Sequence, residues 1–96
     1  MKTVKFKKWT CTIKKARYAN AQHPTLTLHD QADGMLIAKA TINIPDLPLI
    51  DGQVVIKDYA ENEGMLDALI KAKIITPPIG YVKTGFTESP ICWLLI

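Results

Sequence analysis

Apolar residues recur at every second position through the first half of this chain, and switch to helical spacing only once, at Met65, Leu66, Leu69 and Ile70. That single change of period restricts the fold to strands carrying one helix. With 96 residues, a chain can hide only about two-thirds of its unfolded surface, so one small core and one domain, 1–96, are expected.

Val4 and Phe6 alternate with Lys5 and Lys7, and beyond Lys8 the alternation resumes out of phase with Trp9, Cys11 and Ile13. A slip of this kind predicts a bulge, because a period of two cannot otherwise move its apolar face by one residue. The polar run from Lys14 to Pro24 closes the strand. Thr25 to His29 forms the next one, and Asp30 to Gly34 supplies a hairpin turn. Met35 to Ile44 then reads as the longest strand, with Leu36, Ala38, Ala40, Ile42 and Ile44 on one face. After the prolines at 45 and 48, Gln53 to Lys57 makes a strand covered on both sides. Asn62 caps a helix running to Ala72, with Glu61 and Glu63 where a helix start favours negative charge. No glycine stands at the carboxyl cap. Tyr81 to Thr87 offers a further strand, and Ser89-Pro90 introduces a last one from Ile91 to Ile96. The order predicts an α+β domain: an antiparallel sheet of four to six strands with one principal helix packed on one face. The core should hold Phe6, Trp9, Ile13, Leu26, Leu28, Ile42, Ile44, Met65, Leu69, Ile70 and Trp93. A wet opposite face should show Lys5, Lys7, Thr10, Thr12, Lys39 and Thr41.

The net charge of +3 conceals a segregation. Lys2, Lys5, Lys7, Lys8, Lys14, Lys15 and Arg17 give the first nineteen residues +7 with no acid among them. Residues 20–67 carry −6 and the remainder +2. Solvated charges that keep a small domain soluble account for most such patterns. Two binding surfaces are nonetheless offered. Lys5, Lys7, Lys8, Lys14 and Lys15, with Phe6, Trp9 and Tyr18 interleaved, could combine phosphate neutralisation with base stacking on nucleic acid. Asp46, Asp51, Asp58, Glu61, Glu63 and Asp67 could together stand where a basic partner holds phosphate. Helix-dipole complementation by Asp58, Glu61 and Glu63, with Asp67 paired to Lys71, explains much of that acidic cluster. It leaves the like charges Glu63 and Asp67, four residues apart on one helical face, unexplained.

Catalysis has little to stand on. His23 and His29 lack ligand-type helical partners, Cys11 and Cys92 are 81 positions apart, and no phosphate loop, nucleophile elbow or zinc motif occurs. Cys11 with His29 and Asp30 could in principle form a nucleophile and base, but strand cysteines are more often small core hydrophobes. No enzyme activity, metal or cofactor is expected. The longest uncharged apolar stretch near the amino end, Trp9 to Ile13, is too short for a signal peptide or a membrane span, so a soluble cytoplasmic protein with no membrane partner is expected.

The stretch Thr41 to Leu95, above all KDYAENEGMLDALIKAKIITPP and SPICWLL, resembles a family of small proteins encoded on phages, plasmids and conjugative elements of bacteria. In that family a glycine often follows the helix where Lys73 stands here. The resemblance implies a genomic neighbourhood rather than an activity or a catalytic residue. Small proteins of mobile elements without enzyme motifs are often inhibitors of host defence. The function expected is therefore a non-enzymatic protein that binds and inhibits a host defence nuclease, most specifically an RNA-guided effector of the Cas9 type, that is, an anti-CRISPR. Its partner would be the nuclease or its complex with guide RNA, met through the acidic residues, in the cytoplasm of the bacterial host. The alternative is a small nucleic-acid-binding accessory protein of the element, working through the basic first strand. A homo-oligomer is compatible with either.

Overall fold

The computed structural model describes residues 2–17, 24–44 and 47–96, the side chain of Thr84 apart. Tyr18, His23 and Asp46, named above, lie outside the described residues. Thr3–Phe6 forms β1 and Trp9–Arg17 forms β2, with Phe6 paired to Trp9 and Val4 to Cys11. The expected bulge at Lys8 is instead a hairpin with a two-residue turn, Lys7-Lys8. Residues that flank such a turn stand opposite each other and share a face, which produces the same slip in a one-dimensional pattern.

β2 does not end at Lys14. It is paired along its length by β3, Pro24–Asp30, from Cys11 opposite Asp30 to Arg17 opposite Pro24, and its nine residues make it the longest strand. The run expected from Met35 to Ile44 shortens to β4, Leu36–Lys39, whose register against β3 shifts between Leu28 and His29. Beyond Lys39 the chain passes between two neighbours. Ala40 N–H still reaches the Leu26 carbonyl at 2.9 Å, while Ile42 N–H donates to Val55 O at 3.0 Å and Lys57 N–H to Ala40 O at 2.8 Å. Thr41, expected on the wet face, is buried at this seam, where its hydroxyl accepts from Leu26 N–H and donates to Thr25 Oγ1.

β5, Gln53–Val55, β6, Gly80–Thr84, and β7, Thr87–Trp93, form a second antiparallel sheet in the order β5-β7-β6. The protein is thus an α+β fold, with two sheets joined by the single bridge from Thr41 to Ile56 in place of one. Pro90 shows why the second sheet stops where it does. It lies inside the central strand rather than introducing it, and towards β5 it offers only its carbonyl, which accepts from Ile56 N–H at 2.9 Å. A proline cannot return that hydrogen bond, so pairing with β5 ends at Val55 and Ile56 crosses to Thr41.

A short 3₁₀ turn, Ala60–Asn62, precedes the one α-helix among the described residues, α1, Met65–Lys71. Asn62 does not cap this helix. The helix starts from Gly64 at φ 94, a conformation in which a side chain would be strained. Asp58 supplies the capping oxygen, its Oδ1 accepting from Leu66 N–H at 2.8 Å. Met65 and Leu69 face inward with Val4, Phe6, Cys11, Leu26, Leu28, Ala40, Val54, Ile56, Ile74, Ile75 and Cys92. Trp9, Ile13 and Ile70 are only partly buried at the margin of that cluster, and Ile42, Ile44 and Trp93, also expected inside, are likewise partly exposed. No helix among the described residues is long and apolar enough to cross a membrane.

The missing glycine at the end of α1 has a structural consequence. Lys73 adopts the left-handed conformation, φ 60, with Lys73 N–H on Ile70 O and Ile74 N–H on Leu69 O, both at 3.0 Å. This is a complete Schellman cap, sealed by the buried pair Ile74 and Leu69. A lysine there carries a backbone cost that glycine avoids, about 1 kcal/mol. Lys73→Gly is expected to raise stability by about that much, read as a higher denaturation midpoint at unchanged slope. A lowered midpoint would show that the Lys73 side chain contributes more than its backbone costs.

Candidate nucleic-acid interface

Cross-strand partners share a face of a sheet, and successive residues alternate between faces. Val4 and Phe6 are buried while Thr3 and Lys5 are exposed, which fixes the inner and outer sides of the four-stranded sheet. From the register, the outer face carries Thr3 and Lys5 on β1, Thr10, Thr12, Lys14 and Ala16 on β2, and Thr25, Thr27 and His29 on β3. Leu36 and Lys39 of β4 complete it. None of these positions holds a carboxylate. Asp30, at the end of β3, and Asp33, in the β3–β4 turn, each accept a backbone N–H on Oδ1 at 2.9 Å, from Ala32 and Met35 respectively, and Glu61 lines a groove with Leu36 and Lys39 at the β4 edge.

The five lysines proposed from the sequence separate. Lys5 and Lys14 are exposed on the outer face, with no hydrogen bond or ion pair among the described residues. Lys7 and Lys8 form the β1–β2 turn. Lys7 Nζ donates to Glu61 O at 2.8 Å, and Lys8 Nζ lies 5.2 Å from the Trp9 ring centre. Lys15 belongs to the inner side, opposite Leu26, and its Nζ donates to Ile96 O at 3.1 Å. Lys39, counted above as part of the wet face but not as a site, joins Lys5 and Lys14. Only the pairing of β3 with β4 brings it there.

The acidic residues do not form one patch. Asp51 pairs with Arg17 at 3.4 Å, beside an open cavity of about 380 Å³ lined by Lys15, Arg17, Pro24, Asp51, Leu94 and Ile96. Glu61 lies by the Lys7 turn, at the other end of β2, roughly 25 Å away at 3.3 Å per strand residue. It is also paired with Lys57, and that hydrogen bond holds its carboxyl below the usual range while raising the Lys57 ammonium. Asp58 is engaged in the helix cap. Glu63 and Asp67 are exposed and make no ion pair among the described residues, so the expected Asp67–Lys71 pair is not formed.

Among the described residues, the proposed nucleophile and base do not meet. Cys11 is buried on the inner face, while His29 lies on the outer face with Nε2 on the Thr27 hydroxyl at 3.0 Å and Nδ1 3.2 Å from Gly34 O. Burial, then the neighbouring Asp30, raises the Cys11 thiol, and burial alone pushes Cys92 up to about 11. Among the described residues, no three His, Cys, Asp or Glu side chains are grouped to hold a metal ion. Asn62, passed over as a cap, is buried and ties the 3₁₀ turn to β4 through Nδ2 on Lys39 O, at 2.6 Å. No protein-family model matches this chain, and no curated protein or solved structure matches it.

Proposed function

We propose that this is a non-enzymatic binding protein of a bacterial mobile element that engages the phosphate backbone of nucleic acid through the outer face of its four-stranded sheet, in the cytoplasm of the host. The observation that carries the reading is the set Lys5, Lys14 and Lys39 on a face whose described strand positions hold no carboxylate. Lysines so placed lower the cost of bringing phosphates together and release condensed counterions, so binding should weaken steeply with salt. The acidic middle of the chain does not oppose this. Asp30, Asp33 and Asp58 are held by backbone N–H groups, and Glu61, which lines a groove with Lys39 at the β4 edge, is paired with Lys57.

A second reading has one specific support. Glu63 and Asp67, exposed and like-charged at the start of α1, together with the resemblance to mobile-element proteins, favour a contact with a basic channel of an RNA-guided nuclease of the Cas9 type, whose cleavage the protein would block. One experiment addresses both. In mobility shifts at 20 and 200 mM salt, Lys5→Glu with Lys14→Glu is expected to abolish binding to bare DNA or RNA, and Glu63→Lys with Asp67→Lys to leave it intact or strengthened. Inhibition of guided cleavage lost only in the Glu63/Asp67 variant, without any shift of bare nucleic acid, would replace the first reading with the second. No shift and no inhibition would sink both.

A further inference from the structure

Which nucleic acid the outer face can hold follows from what that face lacks, and the inference rests on the phosphate-binding reading above. Single-strand binders combine a basic groove with aromatic rings on which successive bases stack. Among the described residues, the outer face has no Phe, Tyr or Trp. Phe6 is buried on the inner side, Trp9 is paired opposite it on that same side, and Tyr81 and Trp93 belong to the other sheet. What stands between the lysines is a set of threonines, Thr10, Thr12, Thr25 and Thr27; the Thr12 hydroxyl donates to His29 O and the Thr27 hydroxyl meets His29 Nε2, which leaves those of Thr10 and Thr25 to donate to phosphate.

The spacing of the charges also selects. Lys14, Thr27 and Lys39 stand in one row across β2, β3 and β4. At two strand spacings, Lys14 and Lys39 are about 10 Å apart at the backbone. Lys5, opposite Thr10, is one strand across and four residues along from Lys14, or about 14 Å away. Charges set this far apart match phosphates facing each other over a groove about 12 Å wide. The lattice of a paired sheet holds their backbones at that separation without any loop having to order.

We propose that the outer face of the four-stranded sheet takes double-stranded nucleic acid, gripping phosphates of both strands through Lys5, Lys14 and Lys39 without reading sequence. Three neutralised phosphates imply a slope of log K against log salt of about −2.7.

The test is fluorescence anisotropy of the full chain with a labelled 20-base-pair DNA duplex, a second duplex of unrelated sequence, and the separate single strands, from 20 to 150 mM salt. Both duplexes should bind within about threefold of each other, and each should bind at least tenfold tighter than its single strands. Lys5→Ala, Lys14→Ala and Lys39→Ala should each flatten the slope by about 0.9, with circular dichroism unchanged. Because these side chains are exposed, loss of the fold is not the expected cause of weaker binding. Single strands bound as tightly as duplex, or a strong preference between the two duplexes, would overturn this inference while leaving phosphate binding in place. Displacement of the duplex by polyglutamate at equal charge would assign the face to an acidic polypeptide, and no binding by any probe would remove the reading beneath it as well.

Discussion

Leu69→Ala is expected to lower the stability of this protein by about 2 to 5 kcal/mol. Leu69 has no solvent exposure and lies among Val4, Phe6, Met65 and Ile74, where α1 rests on β1. Alanine is the best helix former, so the substitution leaves the helix backbone favoured and removes only side-chain volume that its neighbours cannot refill. Domains of this size are held by roughly 5 to 15 kcal/mol, so a third or more of the stability would be lost. Urea or guanidinium unfolding measures it. The midpoint should fall with the slope unchanged, and Leu66→Ala, at a partly exposed position of the same helix, should cost well under half as much. Equal losses at the two positions, or an unmoved midpoint for Leu69→Ala, would mean that α1 presents another face to the core.

The second large effect is alkaline. Cys92 is buried in the central strand of the second sheet, and burial raises its thiol from an ordinary value near 9 to about 11. The sign follows from which state loses its proton first. Below pH 9 the thiol is protonated in both folded and unfolded chains, and the full preference is present. Between pH 9 and 11 the unfolded chain ionises while the folded one does not, so stability falls by up to about 1.4 kcal/mol per pH unit, or roughly 2 to 3 kcal/mol across the window. Cys92→Val fills the site without a titrating group. The stability of the native chain relative to that variant should therefore decline from pH 9 to 11 and be flat below 8. Parallel curves for the two proteins would contradict it. The same raised thiol leaves about a hundredfold less thiolate at neutral pH than an ordinary cysteine, so labelling of the folded protein by a thiol reagent should be slow until denaturant is added.

Much of the secondary structure was legible because it is written in local period. The strands around Val4, Ile13, Leu28, Val54 and Ile91 and the helix around Leu69 all occur where the pattern of apolar residues places them. The turn at Gly34 was legible too, since glycine accepts its φ of 77 without strain. The slip at Lys8 was visible but ambiguous, as a bulge and a two-residue hairpin shift the apolar face identically. Only the pairing of Phe6 with Trp9 distinguishes them.

The binding surface was legible in its residue types and not in its grouping. Asp51 and Glu61 are ten positions apart in sequence, yet β5 carries the chain from one end of β2 to the other between them, and an apparent acidic patch separates into two local pairs, the Asp58 cap and the exposed Glu63 and Asp67. Lys14 and Lys39 are twenty-five positions apart and become neighbours in one row. Sequence by itself determined the kind of the elements, the buried character of both cysteines and the basic first strand, because each depends on side-chain period or local charge. Tertiary structure alone decided that there are two sheets rather than one, that Thr41 and Pro90 mark their junction, and that three lysines share a face whose described strand positions hold no acid. Those depend on register, and register is set by hydrogen bonds between segments far apart in the chain, which no local pattern contains.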